Sequence, residues 1–366
     1  MTFPPVPGAS LRAHIPGLIP LTPSGDQTGT ADWKQVTNAF ASFGSGTGTV
    51  LLSPGQWYWN LPVQVPAGCV LAGLQGDTND IAVYGVTINT PHANWAQGSA
   101  PFAAAVILNA DSQASGFNLN CHFANSNGMD GITSNNASNV HIRDICIYNG
   151  PNNGVTSRGN TWKAERVTVT QAVTSCFAAG ASDSDWLECV ASASQSHGWT
   201  GNNPINSHFL GCRAEFNTGD GFHFTCDATS TGGFSLVSCS TDRNAGNGIS
   251  FSSTGTAPLV ISGCTQRRDG SAGTGNGINI AANCTSPVLI GDHVIFPGFN
   301  DDGSGTDTPI TGIVIGATPT YVSLVNVMVH AVTTPVSGTP TNNRALATRT
   351  GAWNAPSAMT LVADNA

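Results

Sequence analysis

The sequence predicts an all-β fold, a right-handed parallel β-helix, and three observations carry that expectation. Helix-forming residues are scarce, a cysteine marks a repeat of about 25 residues, and turn residues punctuate every segment. The chain has 366 residues with 43 glycines, 9% charged residues, three glutamates and two lysines. A surface built instead from hydroxyls and amides suits short strands and turns.

The repeat is read from the cysteines. CVASASQSHGW starts at Cys189, CRAEFNTGDGF at Cys212, CSTDRNAGNGI at Cys239 and CTQRRDGSAGTGNGI at Cys264, with spacings of 23, 27 and 25 residues. Asn217, Asn244 and Asp269 stand five residues after the last three cysteines, and Gly198-Trp199, Gly221-Phe222, Gly248-Ile249 and Gly277-Ile278 close the segments. Segments from Cys121 and Cys146 fit more loosely. A unit this short is one coil of a solenoid, stacked at roughly 4.8 Å on the next. The cysteines then form an inward ladder of free thiols, because parallel stacking gives poor disulfide dihedrals. Asn217, Asn244 and Asp269 form a polar ladder that closes the turns.

The ends depart from this rhythm. Residues 1–30 are rich in Pro and Gly and read as an extended arm. Residues 31–300 hold a capping helix and the coils. TADWKQVTNAFASFG, 30–44, is the amphipathic helix, with Trp33, Val36, Phe40 and Phe43 on one face, Thr30 as cap and Gly44 as stop. Residues 301–366 read as a non-periodic β region that covers the last coil or pairs with other chains.

The segments Asp32 to Phe40, Gly48-Thr49-Val50, Pro54-Gly55 and Val65-Pro66-Ala67-Gly68 through Gly73 resemble the start of pectate-lyase-like β-helix proteins. The resemblance is nearest to the branch found in bacteriophage tailspikes. It covers about 45 residues closely and is specific for fold rather than activity. It implies a tail spike or fibre of the virion that binds a host-surface glycan, assembled as a homotrimer with other phage tail proteins. The alternative it leaves open is a secreted polysaccharide-degrading enzyme, a glycoside hydrolase or polysaccharide lyase.

Charge and motifs exclude other classes. Net charge is -9 and the twelve basic residues are scattered, so no nucleic-acid partner is expected. No apolar run reaches about 18 residues, so no membrane span is expected. MTFPPVPGASLRAHIPG lacks the basic-then-apolar order of a secretory signal, so either a signal has been removed or the protein is assembled inside a cell, and Met1 favours the second. No cofactor is expected and no CxxC pair marks a zinc site. DDGSGTD, 301–307, has the oxygen spacing of a calcium loop without its closing Glu.

Outward side chains of successive coils align into a groove, and glycosidic cleavage needs two carboxyl groups there. Position three after the cysteine supplies Glu215 and Asp242, and position eight supplies His197 and Asp220. Asp185 precedes Cys189. The catalytic candidates are therefore Glu215, Asp242, Asp220, Asp185 and His197, with Asp185 and Asp242 read as two rungs apart on one face. Arg213, Arg267 and His223 are candidate carbohydrate contacts, and Trp162 and Trp95 are candidate sugar-stacking platforms. The competing reading is that Asp220 closes a turn and Glu215 pairs with Arg213 or Arg243 on the surface.

Overall fold

Alternation of apolar side chains writes the strands near the start of the chain: Val50 and Leu52, then Val63 and Val65, then Leu71, all buried. Each such strand finds its partner one coil later, side by side and parallel. The computed structural model describes residues 17–74, 85–90, 104–121, 129–134, 136–270, 275–296, 309–316, 322–330 and 332–338. For 298–299, 306–307, 344–346 and 349–351 it describes the backbone only. They fall into two units, Met1–Thr170 and Gln171–Ala366.

In the first unit a ladder of parallel strands links Leu18–Leu21, Thr49–Leu52, Val70–Gly73, Gln113–Asn120, Val140–Tyr148 and Trp162–Thr170. Its inward row is Ile19, Val50, Leu71, Ala114, Ile142 and Ala164. A second ladder stacks Val63, Val106, Ile132 and Val155. Residues 18–21 were expected in an extended arm, yet they pair with Thr49–Leu52. Pro20 is tolerated because the strand lies at the ladder's edge. Residues 1–16 of that arm lie outside the described residues.

The helix, α1, spans Thr30–Ala41 and buries Asp32, Val36, Ala39 and Phe40. Thr30 is not its cap. Gly29 takes the capping position at φ 83, where an added Cβ would meet the Asn60 nitrogen at 2.7 Å. The free N–H of Ala31 donates to Asp26 Oδ2 at 2.9 Å. Buried Asp32 ties the helix to its neighbours by accepting from the N–H groups of Ser24, at 2.7 Å, and Tyr58, at 2.9 Å.

The second unit shows the coil in full. Each coil gives one strand to each of three ladders. The first runs Asp185–Leu187, His208–Leu210, Phe234–Val237, Leu259–Ser262, Val288–Gly291 and Val322–Val325. The second runs Val190–Ser192, Arg213–Glu215, Ser240–Asp242, Thr265–Arg267, Val294–Phe296 and Met328–His330. The third runs Ser175–Ala179, His197–Asn202, Phe222–Cys226, Ile249–Ser253, Ile278–Ile280, Thr311–Ile315 and Thr334–Ser337. The ladders therefore continue past residue 300. The rhythm is lost in the sequence there because Val288 pairs with Val322, a longer coil than the 25 residues from Phe234 to Leu259.

Cys189, Cys212, Cys239 and Cys264 are buried at the corner before each second-ladder strand. Arg213, Ser240 and Thr265 donate in turn to the carbonyls of Cys189, Cys212 and Cys239, which holds the cysteines in one stack. The thiols of Cys212 and Cys239 donate to the carbonyls of Trp186 and Phe209 one coil earlier, each at 3.2 Å. All ten cysteines are free and buried. Cys146, by contrast, pairs in register with Asn118 and not with Cys121, so that looser alignment does not hold. The stack goes on through His293, whose carbonyl accepts from Met328 as the carbonyl of Cys264 accepts from Val294. His293 is fully buried, with Nε2 3.2 Å from Gln266 Oε1.

The residue before each corner cysteine adopts a left-handed conformation whether or not it is glycine: Glu188, Gly211, Ser238 and Gly263 have φ of 54, 65, 53 and 63. A second such bend falls at Ala193, Phe216, Arg243 and Arg268. Directly after it stands the buried polar ladder. Asn217 donates through N and Nδ2 to Asn244 Oδ1, at 3.2 and 2.7 Å, and Asn244 donates the same way to Asp269 Oδ1, at 3.2 and 2.8 Å. Inside, Phe177, Trp199 and Phe222 stack in register, and Trp186 lies parallel to Phe209.

Burial pushes the thiol of Cys146 up to about 11 and that of Cys176 to about 12. Because all ten thiols are buried, the native chain should be inert to a thiol reagent at pH 8 and react at all ten only after denaturation. Cys239→Asp, which buries an unpaired charge, should cost about 3 kcal/mol or more in urea unfolding.

Two buried groups set opposing pH slopes. Burial pushes Asp269 up to about 7, so between about pH 4 and 7 the folded chain keeps a proton the unfolded chain has released, and stability falls as pH rises. Burial pushes His293 down to about 3, so its contribution is present above about pH 6.5 and is lost as pH falls toward 3. Relative to the parent, Asp269→Asn should gain stability as pH rises from 4 to 7, and His293→Cys should gain it as pH falls below about 6.5. Urea midpoints that track the parent at every pH would contradict both assignments.

Candidate functional site

The outward row of the second ladder is where charge collects in the second unit. Ser192, Glu215, Asp242 and Arg267 follow one another in register, so Glu215 and Asp242 occupy adjacent rungs as their spacing from the cysteines predicts. Between them and the core lies an inward row of Ala191, Ala214, Thr241 and Gln266. Both carboxylates are held by arginines. Arg213 donates to Glu215 Oε2 at 2.6 Å, and Arg267 to Asp242 Oδ2 at 2.7 Å. Arg268 reaches the same carboxylate from the left-handed bend, with Nε 2.8 Å from Oδ1.

Arg213, Glu215, Asp242 and Arg267 line a cavity of about 220 Å³ together with Ser240, Thr241, Thr265 and Phe296. The arginines that hold the two carboxylates differ. The side chains of Arg213 and Arg267 are 56% and 46% exposed, whereas that of Arg268 is 4% exposed. Sequence reasoning missed Arg268 and Phe296. Phe296 stands three residues after His293, the place the acids hold relative to their cysteines, and the absent cysteine hid it. Arg268 sits on the bend, a position that reads as solvent-facing.

A second cluster forms at the corner leading into the third ladder. Asp220 closes the turn through Oδ1, which accepts from Asn247 N at 2.7 Å and Nδ2 at 2.8 Å. Its other oxygen, Oδ2, lies 2.7 Å from His223 Nδ1 and 3.7 Å from His197 Nδ1. The Asp220 N–H donates to His197 Nδ1 at 3.0 Å, and the two imidazoles stack at 4.4 Å between centroids. Burial alone would raise the Asp220 carboxyl, but the His223 hydrogen bond and the Asn247 N–H outweigh it and hold it below the usual range. Burial, with His223 alongside, lowers the basicity of His197 and favours its neutral ring. One donor atom from each of the three lies within 4.8 Å of the others, a grouping able to hold a metal ion.

Other expected site residues fall elsewhere. Asp185 lies on the first ladder, in register with His208, and so does not share a face with Asp242. The repeat position before the cysteine belongs to a different strand from the position after it. Trp162 is 1% exposed and packs inward, so it offers no sugar-stacking face. The alternation of buried Trp162 and Ala164 with Lys163 and Glu165 explains this. Trp95 lies outside the described residues. So does the calcium-loop stretch 301–305, and only backbone is described at 306–307. No helix among the described residues is long and apolar enough to cross a membrane.

No protein-family model matches the chain. Solved structures match its fold. A polygalacturonase from Erwinia carotovora ssp. carotovora is 12% identical with TM-score 0.58, over 90% of this chain and 96% of that one. The mannuronan C-5 epimerase AlgE6 A-module of Azotobacter vinelandii is 13% identical with TM-score 0.57, over 87% and 94%. The Dettilon tailspike protein is 12% identical with TM-score 0.57, over 93% and 68%. The chain thus has the pectate-lyase-like parallel β-helix fold.

The two kinds of arginine should separate on mutation. Arg268→Ala leaves Asp242 short of a buried partner and should cost about 3–5 kcal/mol of stability. Arg213→Ala should cost no more than about 1 kcal/mol, because that pair is solvent-exposed on the arginine side. Equal urea midpoints for the two variants would contradict this.

Proposed function

We propose that the protein is a glycan-binding β-helix of the tail spike or fibre type, and that it holds its ligand against the outward face of the second ladder. The observation that carries this reading is the in-register row of arginine-held carboxylates lining the cavity beside Phe296. Carboxylates accept hydrogen bonds from sugar hydroxyls, exposed guanidinium groups donate to hydroxyls or to a sugar carboxylate, and a part-exposed aromatic ring offers an apolar face. Repetition at the rung spacing suits a ligand that itself repeats. The likeness in fold to tailspikes and to a polygalacturonase supports the same substrate class.

Binding is favoured over cleavage. Guanidinium donors already occupy oxygens of both Glu215 and Asp242, whereas hydrolysis needs one carboxyl group free to deliver a proton. The enzyme reading rests on the same two residues sitting on adjacent rungs.

A panel of anionic and neutral bacterial surface polysaccharides, assayed by calorimetry with the full chain, tests the reading. The parent should bind at least one of them. Arg213→Ala and Arg267→Ala should each weaken that binding by about 10-fold or more. Folded parent that binds none, or variants that bind as the parent does, would overturn it. Release of reducing ends that disappears in Glu215→Gln and Asp242→Asn would move the assignment to hydrolysis. A trimer by light scattering is the assembly expected of a spike, and a monomer in solution counts against that part.

A further inference from the structure

We propose that His197, Asp220 and His223 form a binding site for a divalent transition-metal ion that prefers imidazole, such as zinc, cobalt or nickel. This inference is independent of the glycan groove. One donor atom from each residue already lies within 4.8 Å of the other two. Tetrahedral zinc needs donors about 3.3 Å apart, so the His223–Asp220 pair at 2.7 Å would open and the His197–Asp220 pair at 3.7 Å would close, each by roughly half an ångström. Two imidazoles and one carboxylate favour borderline ions over calcium or magnesium, which want oxygen donors.

Turn closure does not account for these residues. The same turn one coil later is closed by Asn247, whose Oδ1 accepts from Asn276 N and Nδ2, each at 3.0 Å. An amide oxygen is therefore sufficient there. Asp220 does that work with Oδ1, leaving Oδ2 to face the two histidines. Nor does the strand require histidine at either place. The register partner of His197 is Ser175, and His223 stands between Thr200 and Ser250.

The ring nitrogens are suitably presented. His197 Nδ1 accepts the Asp220 N–H, so its ring proton sits on Nε2 and its one lone pair would exchange that hydrogen bond for the ion. Burial favours that neutral ring, the form that binds metal. The ion would take the place of the proton between His223 Nδ1 and Asp220 Oδ2, with the His223 proton moving to Nε2. The side chains of His197 and His223 are 28% and 36% exposed, which leaves an approach from solvent and room for a fourth, non-protein ligand.

The test uses the full chain without a histidine tag, stripped with chelator and titrated with cobalt(II), followed by its visible absorption and by thermal melting. One cobalt per chain should bind, raise the melting temperature and be displaced by zinc. Asp220→Asn keeps the turn-closing oxygen and should fold, yet it and His223→Ala should each bind at least ~10-fold more weakly. His208→Ala, on the first ladder, should bind as the parent does. A parent that shows neither the absorption nor the melting shift would overturn the proposal. So would absorption that persists in both Asp220→Asn and His223→Ala.

Discussion

Everything in each unit depends on one constraint. A coil has no hydrogen-bonding partner for its strands except the coil before and the coil after. Register is therefore set once and inherited. A slip of one residue at any rung would turn Ala214 outward and Glu215 into the core. The corners enforce the register, because the left-handed bends at Ala193, Phe216, Arg243 and Arg268 return the chain to the same place in each turn. The buried amides that follow them satisfy backbone N–H groups that no strand could reach.

The groove inherits its chemistry from that constraint. Glu215 and Asp242 are far apart in the chain, yet they are neighbours because both are counted from a cysteine buried at the corner. Arginines then neutralise the row from outside and from beneath. The cysteines are spacers in this scheme. They are small and apolar, and they satisfy their own weak donors on carbonyls of the preceding coil.

The repeat was legible because its coils are stereotyped, and so was the adjacency of Glu215 and Asp242. What escaped reading was substitution within the pattern. His293 holds a cysteine's place, which concealed Phe296 and the continuation of the ladders beyond it. The bends escaped because Glu188, Ser238 and Arg243 adopt a conformation usually signalled by glycine. Asp185 was misplaced for a geometric reason, since one corner separates it from the row it was assigned to. The meeting of His197 with Asp220 follows from stacking. The arrival of His223 beside them needs the path of the third ladder, which spacing alone does not supply.

The side-chain amides also have a direction. In one line, donors point toward the C-terminus, from Asn217 to Asn244 to Asp269. In the other they point back, from Asn276 to Asn247 to Asp220. Each line stops on an aspartate, and the aspartates stand at opposite ends. An amide receives a hydrogen bond on its oxygen and passes one on through its nitrogen, whereas an aspartate has an oxygen in that nitrogen's place and no amide N–H to pass on. Each aspartate is thus a terminator, and two lines of opposed dipoles leave little net polarity along the coils they share. On this account the coils run on beyond Asp269 while the amide line does not, and exchanging that one residue for asparagine would let the line be carried a rung further, so its length is encoded in the choice between two nearly identical side chains.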